Sequence, residues 1–173
     1  MLNVKFQGDP VTVSGEFPVQ GELMPEFLLC TTGLGDLNSK DLLGKKLLIN
    51  IFPSLDTPVC AKSVQVFDVK CGHESGITLL NVSADLPFAL SRFAEEKKLS
   101  NVIMASSFRN AEFGHQCGVL IANGVLRGLL SRSVICVDES GKVIYSELVN
   151  EITDEPDYNK AIHAFKLKDI LRA

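Results

Sequence analysis

FPSLDTPVC, residues 52–60, joins an apolar run to an amphipathic one and sets a thiol three residues after a threonine. Just before it, KKLLINIF (45–52) is a nearly unbroken apolar run. After it the spacing predicts a helix over about 58–73, then the run ITLLNVSA (77–84), then a second helix over about 87–98. The order is strand, helix, strand, helix. Continuous apolar runs joined by helical segments predict strands covered on both faces, in a parallel or mixed sheet. Further along, NVIMA (101–105) reads as a short strand and residues 110–117 as a helix. SVICVD and KVIYSELV flank Glu139-Ser140-Gly141 as an antiparallel hairpin, and Pro156-Asp157 opens a last helix. At the start of the chain, VKFQGDPVTVSG alternates on either side of Gly8-Asp9-Pro10, which predicts a β-hairpin with its turn at those three residues.

The nonapeptide itself has a mechanism attached. Thr57 can cap a helix, Pro58 suits the first helical position, and Cys60 then falls in the first turn, where backbone N–H groups lack partners within the helix. Such a turn favours anions, and with an arginine nearby it would hold a cysteine as thiolate, the nucleophilic form. A lone cysteine is more often a small, inert core residue. The strand, proline turn, capping hydroxyl and first-turn thiol together favour the reactive reading. A dithiol oxidoreductase would need a second cysteine where Thr57 stands, and a hydroxyl forms no disulfide.

Composition narrows the class. The chain has 173 residues, 46% apolar and 22% charged, which suits one domain over residues 1–173. The net charge of −4, with acidic and basic residues interleaved, argues against nucleic-acid and anionic-membrane partners. The N-terminus lacks the basic start and apolar stretch of a signal peptide, and no run approaches the roughly 20 apolar residues of a membrane helix. The expected location is the cytoplasm. Five cysteines, Cys30, Cys60, Cys71, Cys117 and Cys136, are an odd number at irregular spacing, unlike a secreted disulfide framework.

Phe52 to Cys60, with Ser83-Ala-Asp-Leu-Pro-Phe88, Ser107-Phe-Arg-Asn110, Ser131-Arg132 and the stretch from Glu151 to Tyr158, resembles the bacterial thiol peroxidase branch of the peroxiredoxins over nearly the whole chain. The resemblance implies an α/β, thioredoxin-like fold with a central mixed sheet flanked by helices. It also implies reduction of hydrogen peroxide or organic hydroperoxides through a cysteine sulfenic acid, regenerated by thioredoxin or another thiol reductant, in a homodimer that needs no cofactor or metal. By motif, Cys60 would be the peroxidatic nucleophile and Thr57 would hydrogen-bond thiolate and peroxide. Pro53 would shape and shield the pocket, and Arg132 would stabilise both the thiolate and the departing oxyanion. Arg109 has a weaker case, as a support for the loop or a subunit contact.

In this branch a resolving cysteine usually lies in the second helix, and the matching residue here is Ala94, which forms no disulfide. Cys71 shares a helical face with Cys60, Val64 and Phe67 but lies three turns away, about 16 Å at 1.5 Å per residue. A disulfide needs α-carbons within about 7 Å. Cys30 and Cys136 sit in strand-like apolar contexts, and Cys117, near a helix end beside Gly118, is the least constrained. An external thiol stands at least level with any of them. Three other classes are open. A metal site at His73/Cys71 or His115/Cys117 has poor spacing for zinc, and no signature marks a histidine as the base of a Cys-His hydrolase. A peroxide-sensing or redox-binding protein of the same fold, with impaired turnover, is kept open by Ala94.

Overall fold

A computed structural model describes residues 1–72 and 76–172. Its centre is a seven-stranded mixed sheet. The parallel middle is β5 (Lys46–Ile51), β6 (Ile77–Ser83) and β7 (Val102–Ser106). On one side β9 (Ser133–Val137) and β10 (Val143–Leu148) add antiparallel, and on the other β3 (Leu28–Thr31) and β4 (Asp36–Asn38). The order across the sheet is β10-β9-β5-β6-β7-β3-β4. The expected mixed sheet flanked by helices is present, with β5 and β6 beginning and ending within a residue of the apolar runs that predict them.

Those runs are continuously apolar because both sheet faces are covered. Leu47, Ile49 and Ile51 of β5 point to a cluster with Phe27, Phe113 and Cys117. Leu48 points the other way, to Phe67 and Cys71 of helix α1 (Pro58–Cys71) and Phe165 of the C-terminal helix α4 (Tyr158–Arg172). Helix α2 (Pro87–Glu96) brings Leu90 and Phe93 to Phe52, Leu55, Cys60 and Val64. The third helix, α3 (Glu112–Gln116), is only five residues long, shorter than the expected 110–117. Gly118 follows it with φ +63°, where a Cβ would fall 2.2 Å from Phe17 N, so the chain can turn there only at glycine.

Two terminal features differ from expectation. The N-terminal hairpin pairs β1 (Leu2–Phe6) with β2 (Asp9–Ser14), and its turn is Gln7-Gly8. Phe6 faces Asp9 directly, and both turn residues have positive φ, 53° and 88°, the geometry a two-residue hairpin turn requires. Asp9 and Pro10 are strand residues instead. The short β8 (Leu120–Ile121) extends the hairpin to three strands. At the other end, α4 starts at Tyr158, two residues after Pro156. Asp157 caps it, its side chain accepting from Lys160 N at 3.0 Å and its carbonyl from Ala161 N at 3.2 Å.

Candidate active site

Cys60 occupies the third position of α1, after Pro58 and Val59, and its residue surface is fully buried. A polar network buried under α1 holds this turn to the sheet. Ser63 Oγ donates to the Cys60 carbonyl at 2.8 Å and receives Asn50 Nδ2 at 3.1 Å, and the same amide nitrogen donates to Asn81 Oδ1 at 3.0 Å. Asn50 and Asn81 belong to no motif, and their polarity inside apolar strand runs is the signal that marks them.

Arg132, at the entry to β9, is 2% exposed and is one of the largest buried side chains. Its Nη2 lies 3.2 Å from Cys60 Sγ, and its Nε donates to the Ile152 carbonyl at 2.8 Å. Nη1 has no hydrogen-bond partner among the described residues, and no carboxylate there forms an ion pair with the guanidinium. A buried guanidinium without a counter-charge is costly, because desolvation is not offset. The one hydrogen-bonded group here that can take a negative charge is the Cys60 sulfur. The geometry therefore sets the guanidinium as a charged donor directed at the Cys60 sulfur. Glu155 stands further off as an exposed carboxylate. Its hydrogen bonds from Lys62 and Tyr158 lower its pKa, to which the Arg132 charge adds. Burial and the bond to Glu155 raise the Tyr158 hydroxyl, whose ring packs edge-on against Phe67 at 5.0 Å between centroids.

The carbonyl that receives Arg132 is itself fixed by the N-terminal hairpin. Ile152 N donates to Lys5 O at 2.8 Å, and Lys5 N to Asn150 O at 2.6 Å. The Glu151 carboxylate accepts the turn amides Gln7 N and Gly8 N, both at 3.0 Å. Against the upward push of burial, bonds from Gly8, Thr153 and Gln7 bring Glu151 down to about 2. The N-terminal hairpin thus braces the residue on which Arg132 rests.

The loop between β5 and α1 is tied from another direction. Asp85 accepts Ser54 Oγ at 2.7 Å and Leu55 N at 2.8 Å, with Ser83 Oγ at 2.7 Å. It lies in the Ser83–Phe88 motif, where nothing local marks it as a partner of the loop. Pro53 is buried in this loop, next to Phe52 of the Cys60 cluster. Thr57 is the N-cap residue by position, yet its hydroxyl makes no cap bond and instead donates to the Ser54 carbonyl at 3.1 Å. Side-chain capping by Thr57 is therefore corrected: the loop carbonyl competes for the hydroxyl.

The remaining candidates are elsewhere. Arg109 donates to Leu34 O at 3.0 Å and Asp36 Oδ1 at 2.6 Å, bracing the β3–β4 turn. Ala94 is half-buried and packs against the cluster that contains Cys60. Cys117, expected to be the least constrained thiol, is fully buried, and burial pushes it up to about 12. Cys71 is also raised to about 12, by burial and then by Asp68, and Cys136 is raised by burial and then by Cys71. Among the described residues no three His, Cys, Asp or Glu side chains group as metal ligands, and His73 lies outside those residues. No described helix is long and apolar enough to cross a membrane.

The Redoxin family model matches residues 19–162. A thiol peroxidase of Vibrio cholerae serotype O1 (strain O395) is 51% identical over 161 residues, 93% of this chain and 98% of that protein. One from Corynebacterium glutamicum is 48% identical over 164 residues, 95% and 99% of the two chains. Among solved structures, a peroxiredoxin-like protein from Aquifex aeolicus superposes with TM-score 0.88 at 37% identity, covering 95% of this chain and 96% of that one. The thiol peroxidase of Chromobacterium violaceum gives 0.88 at 25% identity and covers 99% of both. A buried sulfur facing a guanidinium at a helix start, inside a chain this similar end to end, places the protein in the Redoxin family, among the thiol peroxidases.

Proposed function

We propose that this protein is a thiol-dependent peroxidase in which Cys60 is the nucleophile. The observation that carries the reading is the 3.2 Å contact between Arg132 Nη2 and Cys60 Sγ in a buried site where no carboxylate of the described residues forms an ion pair with the guanidinium. The thiolate attacks one oxygen of ROOH, the S–O bond forms as the O–O bond breaks, and the departing RO⁻ takes a proton to become ROH. Cys60 is left as a sulfenic acid. Arg132 serves twice, holding the sulfur anion before attack and the oxyanion as it develops, and its unused Nη1–H is a donor available to the second charge. Thr57 spends its hydroxyl proton on the Ser54 carbonyl at the exposed edge of the turn, leaving its oxygen as an acceptor there, and Pro53 is buried in the same loop. Because the Cys60 residue is fully buried, a hydroperoxide gains access when the exposed segment from Asp56 to Pro58 moves aside.

A thiol returns Cys60 to its starting state, and thioredoxin is one protein able to supply it. We read residues 1–173 as one domain working in the bacterial cytoplasm, where a thiol reductant is at hand. A homodimer is supported by exposed apolar side chains that lie together beside the site. Leu86 is 53% exposed, Phe88 68%, Phe108 45% and Leu34 47%, and the Arg109–Leu34 and Ser106–Asp85 hydrogen bonds join their segments.

The test is peroxide consumption with an added thiol, comparing the unaltered protein with Cys60→Ser. Turnover is expected only in the former, with matching circular dichroism. Activity in Cys60→Ser would move the chemistry to another residue, and oxidation of Cys60 without turnover would favour a sensor.

A further inference from the structure

All five cysteines are described, and four of them are set apart from Cys60 by the fold. Cys71 lies eleven residues along the same helix, about 16 Å away. Cys136 is four residues along the strand path from Arg132, about 13 Å at 3.3 Å per residue, where it faces Ala161 of α4. Cys117 packs on the opposite face of the sheet with Phe27 and Phe113. Cys30 lies on β3, paired with Ser106 of β7, and is not among the residues clustered around Cys60. Each is 6% exposed or less. The Cys60 cluster, Phe52, Leu55, Val64, Leu90, Phe93 and Met104, contains no second thiol, and Ala94 is the residue of α2 at its margin.

On the reading that Cys60 is oxidised by peroxide, we infer that its sulfenic acid is resolved directly by an exogenous thiol, without a disulfide between two cysteines of this chain. The step balances as Cys60–SOH + RSH → Cys60–S–S–R + H₂O. A second thiol then gives Cys60–SH and a disulfide R–S–S–R′, which carries away the two electrons' worth of oxidation. Attack on sulfur requires a thiolate. Burial keeps Cys71 and Cys117 protonated near neutral pH, so neither competes with a thiol from solution. The fully enclosed sulfur sets the shape of the reductant: a small thiol, or a protein thiol presented at a protruding tip.

The experiment uses the unaltered, reduced protein and one equivalent of hydrogen peroxide in thiol-free buffer. One portion is quenched with dimedone, one is mapped without reduction, and one receives 2-mercaptoethanol before mapping. The expected results are a dimedone adduct on Cys60, no disulfide-linked peptide pair, and a 2-mercaptoethanol mixed disulfide on Cys60 that further thiol removes. A disulfide from Cys60 to Cys30, Cys71, Cys117 or Cys136, or to a second copy of the chain, overturns this inference alone. Failure of Cys60 to oxidise overturns the inference and the proposed function together. As a second readout, Cys30→Ala, Cys71→Ala, Cys117→Ala and Cys136→Ala, each checked for folding, are expected to keep thiol-driven turnover within about twofold. A tenfold loss in a folded variant overturns the proposal. Replacing 2-mercaptoethanol by a thioredoxin whose second active-site cysteine is changed to serine tells the two reductant shapes apart: capture of that protein on Cys60 selects the protein thiol.

Discussion

Helix α1 carries a cysteine near each end, and the two ends are chemically opposite. Cys60 and Cys71 lie on one helical face, and both are buried. At the N-terminal end the sulfur meets a guanidinium and the positive end of the helix dipole. At the C-terminal end it meets apolar side chains, the negative end of the dipole and Asp68, and is pushed up to about 12. Burial is therefore common to the thiol proposed to react and to the one proposed to stay inert. What separates them is the sign of the charge that burial leaves uncompensated around each sulfur.

Changes to the cationic end should erase this difference in graded steps. The largest effect, after removal of the sulfur itself, belongs to Arg132→Lys. Lysine keeps the charge but has no planar fork to reach the Ile152 carbonyl and the Cys60 sulfur together. The rate of peroxide reduction should fall about 10²-fold, the scale of losing an oriented donor to developing charge. Stopped-flow oxidation under single-turnover conditions measures it, and a rate within twofold of the unaltered protein would remove Arg132 from the mechanism. Asp85→Asn comes next. One carboxylate oxygen takes Ser54 Oγ and the other takes Leu55 N and Ser83 Oγ, and an amide presents only one acceptor. The loop should loosen, with about tenfold lower activity and a loss of about 1–2 kcal/mol in denaturant unfolding. Thr57→Val should have the smallest effect, a few-fold on the peroxide step, because the hydroxyl spends its proton on the Ser54 carbonyl and not on the sulfur. Thr57→Ser should restore it.

The cationic end of α1 was only partly legible in the sequence. Pro58 and the apolar run before it fixed the helix start and the strand, since proline at the first helical position and a doubly covered strand each leave a local signature. The burial of Arg132 leaves none. An arginine beside a strand is solvated by default, and only the meeting of β9, α1 and the Ile152 loop, each distant in sequence, encloses it. Asp85 and the Asn50–Ser63–Asn81 network are legible only as polar residues in the wrong place, because their partners lie across strands or helices. The hairpin turn was displaced because Asp9-Pro10 is the stronger turn signal by composition, whereas strand register put Gln7-Gly8 at the tip. Strands β4 and β8, three and two residues long, are too short to show a period at all.

The most direct test treats the two sulfurs of α1 as internal controls for each other. Reduced protein is given a substoichiometric dose of hydrogen peroxide at neutral pH, trapped, and mapped for oxidation at Cys60 and at Cys71 in the same digest. The charge-partner account predicts oxidation at Cys60 in at least about 100-fold excess, the scale on which oriented electrostatic donors act. Comparable oxidation at both cysteines, or a majority at Cys71, would contradict it.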